Sequence, residues 1–369
     1  MKTTTLLVTA MVAMALTSCA DDEPVSINRG DAISFRPAMG SRATEVTNAN
    51  LQTFYVTSFL GTTPYINNVA YTKGGDGFYN SAVPYYWPGD DTPLDFYAYS
   101  PSLDELFPGG DATTDGSGDG IVFNSTEKTL VNFAVADSIK NQVDFITAYG
   151  TGKKSINEEA GLELTFGHRL SQIEIRAKSD NTQFTFKVAG VRIGRAQYLA
   201  NFDFATNTWT LDDWHDTQVY TSRCPEVTLG DSAVSIMGPD GNAMLLPQTL
   251  TAWSPTSDPD NVAREAYLSV YVQITANATG TTVYPFPSDN RTDEVTGQKR
   301  QYAWATIPLS GTWEAGKKYV YTLDFTHGAG YTDPDDPIPG KPVLGDPIKF
   351  TVNVEPWQST PGTLPMTVK

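Results

Sequence analysis

Acid–base chemistry near neutral pH needs a histidine or a shifted carboxylate, and the chain has three histidines, His168, His215 and His327. His168 falls on the apolar phase of LELTFGHRL (162–170), in step with Leu162, Leu164, Phe166 and Leu170, which makes it a packing residue with one hydrogen bond to satisfy. His215 lies in LDDWHD (211–216), where Asp213 shares its strand face, but two ligands do not make a metal site and a wet turn is expected. DGSGDGIVF (115–123) comes closer to metal chemistry. Asp115, Ser117 and Asp119, followed by Gly120, take the first, third, fifth and sixth places of a calcium loop. The twelfth place, which needs a bidentate Glu, is Thr126, with Glu127 one residue late, so the stretch reads as an acidic turn and calcium is a weak candidate there. Tyr85, Tyr86 and Trp87 offer faces on which a sugar ring could stack, or equally a strand end packed into a core. No nucleophile stands beside a base and no paired acids stand out, so these residues point to neither an enzyme nor a cofactor.

The remaining reactive side chain is a thiol. Of two cysteines, Cys224 stands alone in the body of the chain and Cys19 ends MKTTTLLVTAMVAMALTSC, in which Lys2 precedes an apolar segment from Leu6 to Leu16. That segment is too short to span a bilayer and reads as a secretory signal over residues 1–18. Leu16-Thr17-Ser18-Cys19 resembles the bacterial lipobox, which implies cleavage before Cys19, diacylglycerol on its sulfur and an acyl group on the new amino terminus. Two or more chains anchor stably where one does not. The acid that follows, ADDE (20–23), resembles the export tag that sends surface lipoproteins of Bacteroidetes-type bacteria to the outer leaflet of the outer membrane; a solvated linker is the alternative. With Cys19 lipidated, no intrachain disulfide can form.

These groups need a body to carry them. The 369 residues leave room for two domains, with 40% apolar residues to fill a core in each. The net charge of −17 argues against nucleic acid and against adsorption to anionic lipid. Period-2 alternation recurs along the chain: Leu268, Val270, Val272 and Ile274 share one face, as do Tyr319, Tyr321, Leu323 and Phe325. Short runs such as FYVTSFL (54–60), LDFYAYS (94–100), VDFITAY (143–149) and FTFKVAGVRI (184–193) are separated by Gly, Pro, Asn and Asp clusters, which predicts an all-β chain of sandwiches. In LELTFGHRLSQIEIRA the apolar phase slips from even to odd positions, and a bulge near Ser171-Gln172 is expected to absorb it. The polar stretch 150–161 marks a boundary near residue 158, within a range of 150–180, giving sandwiches over 43–158 and 159–325.

Both ends are unusual for a closed sandwich. Ile33 and Phe35 make a short strand-like pair, Pro37 is expected to stop it, and the polar segment reaching Arg42-Ala43 reads as an exposed loop of the kind proteases cut. An Arg-specific protease would release the 19–42 segment, lipid included. From 326 to 347 runs THGAGYTDPDDPIPGKPVLGDP, an expected extended linker without a ladder of its own. It delivers the 348–369 segment, in which Ile348, Phe350, Val352 and Val354 share one face and, fully buried, would contribute roughly 6 to 12 kcal/mol gross at about 1.5 to 3 each. That strand either folds back onto its own domain or adds to the sheet of another copy, in the slot vacated by the ISF segment. A head-to-tail contact that does not close makes a filament.

The lipobox to Cys19, ISF followed by SRAT (41–44), YYWP (85–88) with LDFYAY (94–99), LTFGHRLSQIEI (164–175), GKKYVYTLDF (316–325) and PIKFTVNVEPW (347–357) together resemble the fimbrillin family, the Mfa-like lipoprotein pilus subunits of Bacteroidales-type bacteria. The resemblance implies two transthyretin-like β-sandwich domains in tandem and export as a lipoprotein to the outer membrane. It also implies cleavage after an arginine, here Arg42–Ala43, and polymerisation by strand exchange. The displaced strand would centre on Ile33 and Phe35 and the donor would be Ile348 to Val354. Its partners would be other copies or related fimbrial subunits, an Arg-specific protease, outer-membrane lipid through Cys19, and a surface glycan or protein met in adhesion. A monomeric, surface-tethered glycan-binding lipoprotein is the competing reading, distinguished by whether aromatics such as Trp87 are exposed.

Overall fold

The computed structural model describes residues 30–39, 50–107, 120–124, 126–212, 217–256, 264–293 and 297–357. Strands dominate them, as the alternation requires. The chain opens with β1 (Phe35–Met39), β2 (Thr53–Leu60), β3 (Thr63–Lys73), β4 (Tyr79–Ser81) and β5 (Leu94–Ser100). After β6 (Gly120–Phe123) and β7 (Lys128–Ala134), it returns to the first group with β8 (Ile146–Gly152) and β9 (Leu162–His168). Hydrogen bonding runs β1-β4-β3-β2-β5-β8-β9 and back to β1, a closed barrel. Its core is Ile33, Phe35, Phe54, Val56, Ile66, Tyr71, Trp87, Phe96, Leu164 and Phe166 with their neighbours. Closure depends on β1, which pairs in parallel with β9 over Phe35–Met39 and touches β4 at Phe35–Tyr79. Alternation alone predicts open layers here; a parallel pairing across more than a hundred residues leaves no mark in a local pattern.

The second body begins with β10 (Ser171–Lys178), β11 (Phe184–Ala196), β12 (Leu199–Asp203), β13 (Thr208–Leu211) and β14 (Gln218–Thr228). It continues through β15 (Val234–Ser235), β16 (Ala243–Leu245), β17 (Thr249–Ala252), β18 (Glu265–Ala276), β19 (Thr281–Tyr284) and β20 (Ala303–Pro308). It ends with β21 (Gly311–Thr312), β22 (Lys317–Asp324), β23 (Tyr331–Thr332) and β24 (Lys349–Pro356). One sheet runs β15-β10-β22-β24 and the other is built on β14-β11-β18-β17-β21. Ile173, Ile175, Tyr321 and Leu323 of the first share a core with Val188, Ile193, Leu268, Val270 and Val272 of the second, a β-sandwich. Phe186 and Phe325 meet across it at 5.4 Å.

Three local expectations are corrected. The phase slip after His168 is no bulge: β9 ends at His168 inside the barrel and β10 starts at Ser171 inside the sandwich, so the two phases serve two cores. The chain therefore changes sheets at Arg169–Leu170, within the 150–180 range expected for the boundary. Moreover, β6 and β7 leave the barrel to form a sheet with β12 and β13, where Phe133, Phe145, Phe202 and Trp209 pack together. Pro37 does not end β1, because past Phe35 only β9 remains as a partner and a missing N–H costs little on a half-free strand. The Pro-rich 326–347 stretch is not a free linker. Its β23 pairs with β20, Gly328 bridges Gly345, and the buried Asp333 carboxylate accepts from Ser269 Oγ at 2.8 Å. A Cβ at Gly328 would lie 1.6 Å from the Asp346 carbonyl, so only glycine permits that bridge.

The parallel β10–β22 pair is bridged by charge. Glu174 on β10, 7% exposed at its side chain, accepts from Arg176 at 2.6 Å and pairs with Lys318 on β22 at 2.7 Å. Burial alone would raise its pKa, but the bonds from Arg176 and Lys318 outweigh it and hold the carboxyl below its ordinary 4.5. A depressed folded pKa gives stability that is present above the ordinary value and lost as pH falls through the folded one. Melting temperature should therefore drop between pH 5 and 3 in the parent chain, and Glu174→Gln should start lower and show a shallower acid slope; equal slopes would reject the assignment.

Candidate functional site

The first strand is short but deeply seated. Ile33 is 1% exposed and Phe35 fully buried. Ile33 donates its amide to the Tyr85 carbonyl at 2.7 Å, and Leu162 donates to Ser34 at 2.9 Å. The Phe35 ring meets Tyr71 at 4.7 Å, Phe96 at 5.3 Å and Phe54 at 5.8 Å, all edge-to-face. Past Phe35, Arg36 is exposed and lays its guanidinium 4.2 Å over Phe78. The geometry is that of a plug: remove β1, and β4 and β9 become the two edges of an open sheet with an empty aromatic slot between them. Cys19, Arg42 and Ala43, and the acidic turn with Asp115, Ser117 and Asp119, lie outside the described residues. Among the described residues there is no cluster of three or more His, Cys, Asp or Glu suited to a metal ion.

At the other end, β24 folds back along β22 in its own sandwich, antiparallel, from Asp324↔Lys349 to Lys317↔Pro356. Of the four apolar residues on one face, Ile348 is 5% exposed and Phe350 half-buried, but Val352 is 40% and Val354 51% exposed. The strand is thus an edge strand whose apolar face is only half used. Its far end is fastened. Trp357, 2% exposed, donates its amide to the Gly316 carbonyl at 2.8 Å and stacks on His168 with ring centroids 4.4 Å apart and planes 7° apart. His168 donates Nδ1–H to the Asp144 carboxylate at 2.9 Å, so it is the satisfied packing residue its strand phase predicts. What the sequence hides is its partner: Trp357 reaches the end of β9, the strand that holds β1.

Trp87 is 1% exposed and packs on Phe96 at 5.6 Å in the barrel core, with the half-buried Tyr85 against it, so Trp87 offers no face for a sugar ring. A half-buried aromatic set that the sequence reading passed over lies on the sandwich instead. Tyr271 stacks with Tyr302 at 5.4 Å and meets Trp304 at 4.9 Å, with Arg223 lying 3.8 Å over Tyr271. Its members come from three strands or loops, and only the β18–β20 register, Tyr271↔Trp304, could have foretold the pair.

The fold these geometries define is a plugged β-barrel followed by a β-sandwich. Residues 40–357 match the family described as fimbrillin-like, and the chain belongs to that family. Membership makes it a fimbrial structural subunit rather than an enzyme. Among solved structures it is similar to a fimbrial protein from Bacteroides vulgatus, at 16% identity and a TM-score of 0.57, over 88% of this chain and 99% of that one. It is also similar to a protein described as a cell adhesion protein from Bacteroides ovatus, at 14% identity and a TM-score of 0.50, over 89% and 99% of the two chains. At these identities the likeness establishes a shared fold. Among curated proteins no sequence matches.

Proposed function

We propose that the chain is a pilin: a lipoprotein exported to the outer membrane, anchored through Cys19, activated by cleavage after Arg42 and polymerised by strand exchange in support of adhesion. The barrel and the sandwich take the places of the two transthyretin-like units that the family resemblance implies. The observation that carries the reading is that β1 alone closes the barrel and lies immediately before the proposed cleavage point. Once the chain is cut, β1 is held only by non-covalent contacts, and its ladder to β9 is parallel, the weaker arrangement per residue. The donor would be Ile348 to Val354 of another copy. Leaving β22 costs a ladder, but pairing in the slot forms another, so the balance turns on side chains. Val352 and Val354, exposed in the free subunit, would gain about 1.5 to 3 kcal/mol each on burial. A slot at one end and a donor at the other make a head-to-tail, non-closing contact, hence a filament.

The test is digestion of the lipid-free chain with an Arg-specific protease, read by intact mass and by size distribution. A cut after Arg42 should precede heat-resistant multimers, and Ile348→Asp should abolish them. Resistance at Arg42, or a cut chain that stays monomeric, would favour the tethered monomer.

A further inference from the structure

The loops after β19 and β23 together enclose a cleft of about 390 Å³ that neither the plug nor the edge strand uses. One wall is apolar: Phe286, Pro337 and Ile338, the last 61% exposed. The floor is an ion network of two acids and two guanidiniums. Arg291 donates through Nε and Nη2 to both oxygens of Asp289, at 3.0 and 2.9 Å, and through Nη2 to Asp336 at 2.5 Å. Arg300 donates through Nε to Asp289 at 2.7 Å. The Asp289 and Asp336 side chains are only 8% and 12% exposed. Burial would raise the Asp289 pKa, but the two guanidiniums hold it well below the carboxylate range, so its charge is committed to them.

What remains is positive. Among the described residues Lys341 has no acidic partner, its ammonium lying 3.9 Å over the Phe286 ring, and Arg291 Nη1 makes no hydrogen bond. In a chain of net charge −17, a cleft with this surplus selects an anion. A bare anion would have no use for the Phe286–Ile338 wall, whereas a sugar ring has an apolar C–H face, and hydroxyls that Ser288 and Asn290 can meet.

We propose that the cleft between Phe286, Arg291, Ile338 and Lys341 binds an acidic saccharide, its carboxylate or sulfate on Lys341 and Arg291 and its ring against the apolar wall. This rests on the adhesive reading above and names its ligand class and site. The probes are sialyllactose, lactose 6-sulfate, lactose and inorganic phosphate, titrated into the lipid-free chain and followed by ligand-observed NMR. At least one acidic sugar should bind about tenfold or more tighter than lactose, the scale of one charge-assisted pair, and outcompete phosphate. Which of the two binds better tells carboxylate from sulfate. Lys341→Glu should remove that preference, while Lys140→Glu, remote from the cleft, should keep it. Equal binding of lactose, phosphate competing as well as the sugars, an unaffected Lys341→Glu, or no binding at millimolar concentration each overturns the proposal. Assembly of the cleaved chain is measured alongside. Normal filaments without saccharide binding overturn the cleft alone, and absent filaments with binding overturn the pilin alone.

Discussion

Replacing Phe35 by alanine should lower the melting temperature of the uncleaved subunit steeply and leave filaments of cleaved subunits unchanged. Phe35 is fully buried among Tyr71, Phe96 and Phe54, and a Phe→Ala change at such a site costs about 3 to 5 kcal/mol. For a domain of this size that is roughly 6 to 20 °C in melting temperature. The asymmetry carries the test. If β1 leaves on assembly, its side chains no longer contribute, whereas Phe54→Ala on β2, also fully buried, should weaken subunit and filament alike. Parallel melts of monomer and filament distinguish the two. A Phe35→Ala filament weakened as much as the Phe54→Ala one would mean that β1 stays in place and that subunits join some other way.

The all-β class and much of both cores were legible because apolar side chains alternate along many of the strands, even where, as on β18, both faces are buried. Leu268, Val270, Val272 and Ile274 are each fully buried, on the face their alternation predicts. What escaped was long-range. The slip at His168 carried the right information, two incompatible phases, but a phase change within one strand and a change of sheet look alike in one dimension. Proline and glycine in 326–347 read as freedom, although here they build tight bridges, with Asp333 as the anchor. For the candidate site, Ile33, Phe35 and the donor-like face could be picked out by pattern. The stack of Trp357 on His168 could not, since residues so far apart in the chain leave no periodicity.

That stack is where the second large effect is expected. The terminal strand pairs with β22 along its length, but its deeply buried side chains stand at its ends, Ile348 and Trp357, while Val352 and Val354 between them are exposed. Trp357→Ala removes one fastening at about 3 to 5 kcal/mol. The β24 amides should then exchange much faster, and the chain should become protease-sensitive within 349–356. The indole also carries a liability: its Nε1–H is buried without a partner among the described residues, a cost of about 1 to 3 kcal/mol that release from the docked position would relieve. Trp357→Phe keeps an aromatic face and deletes the orphan donor, so it should hold the tail at least as tightly as the parent. If the tail is the donor, the cleaved Trp357→Ala chain should assemble faster than the parent and the Phe variant no faster. If exchange rises in Trp357→Ala while assembly is unmoved, the tail is an ordinary edge strand and the donor lies elsewhere. Because His168 ends β9, and β9 carries the whole parallel ladder to β1, the same variants also ask whether plug and tail are coupled. Faster loss of β1 protection in Trp357→Ala than in the parent would mean that freeing the donor and opening the acceptor are one event within each subunit.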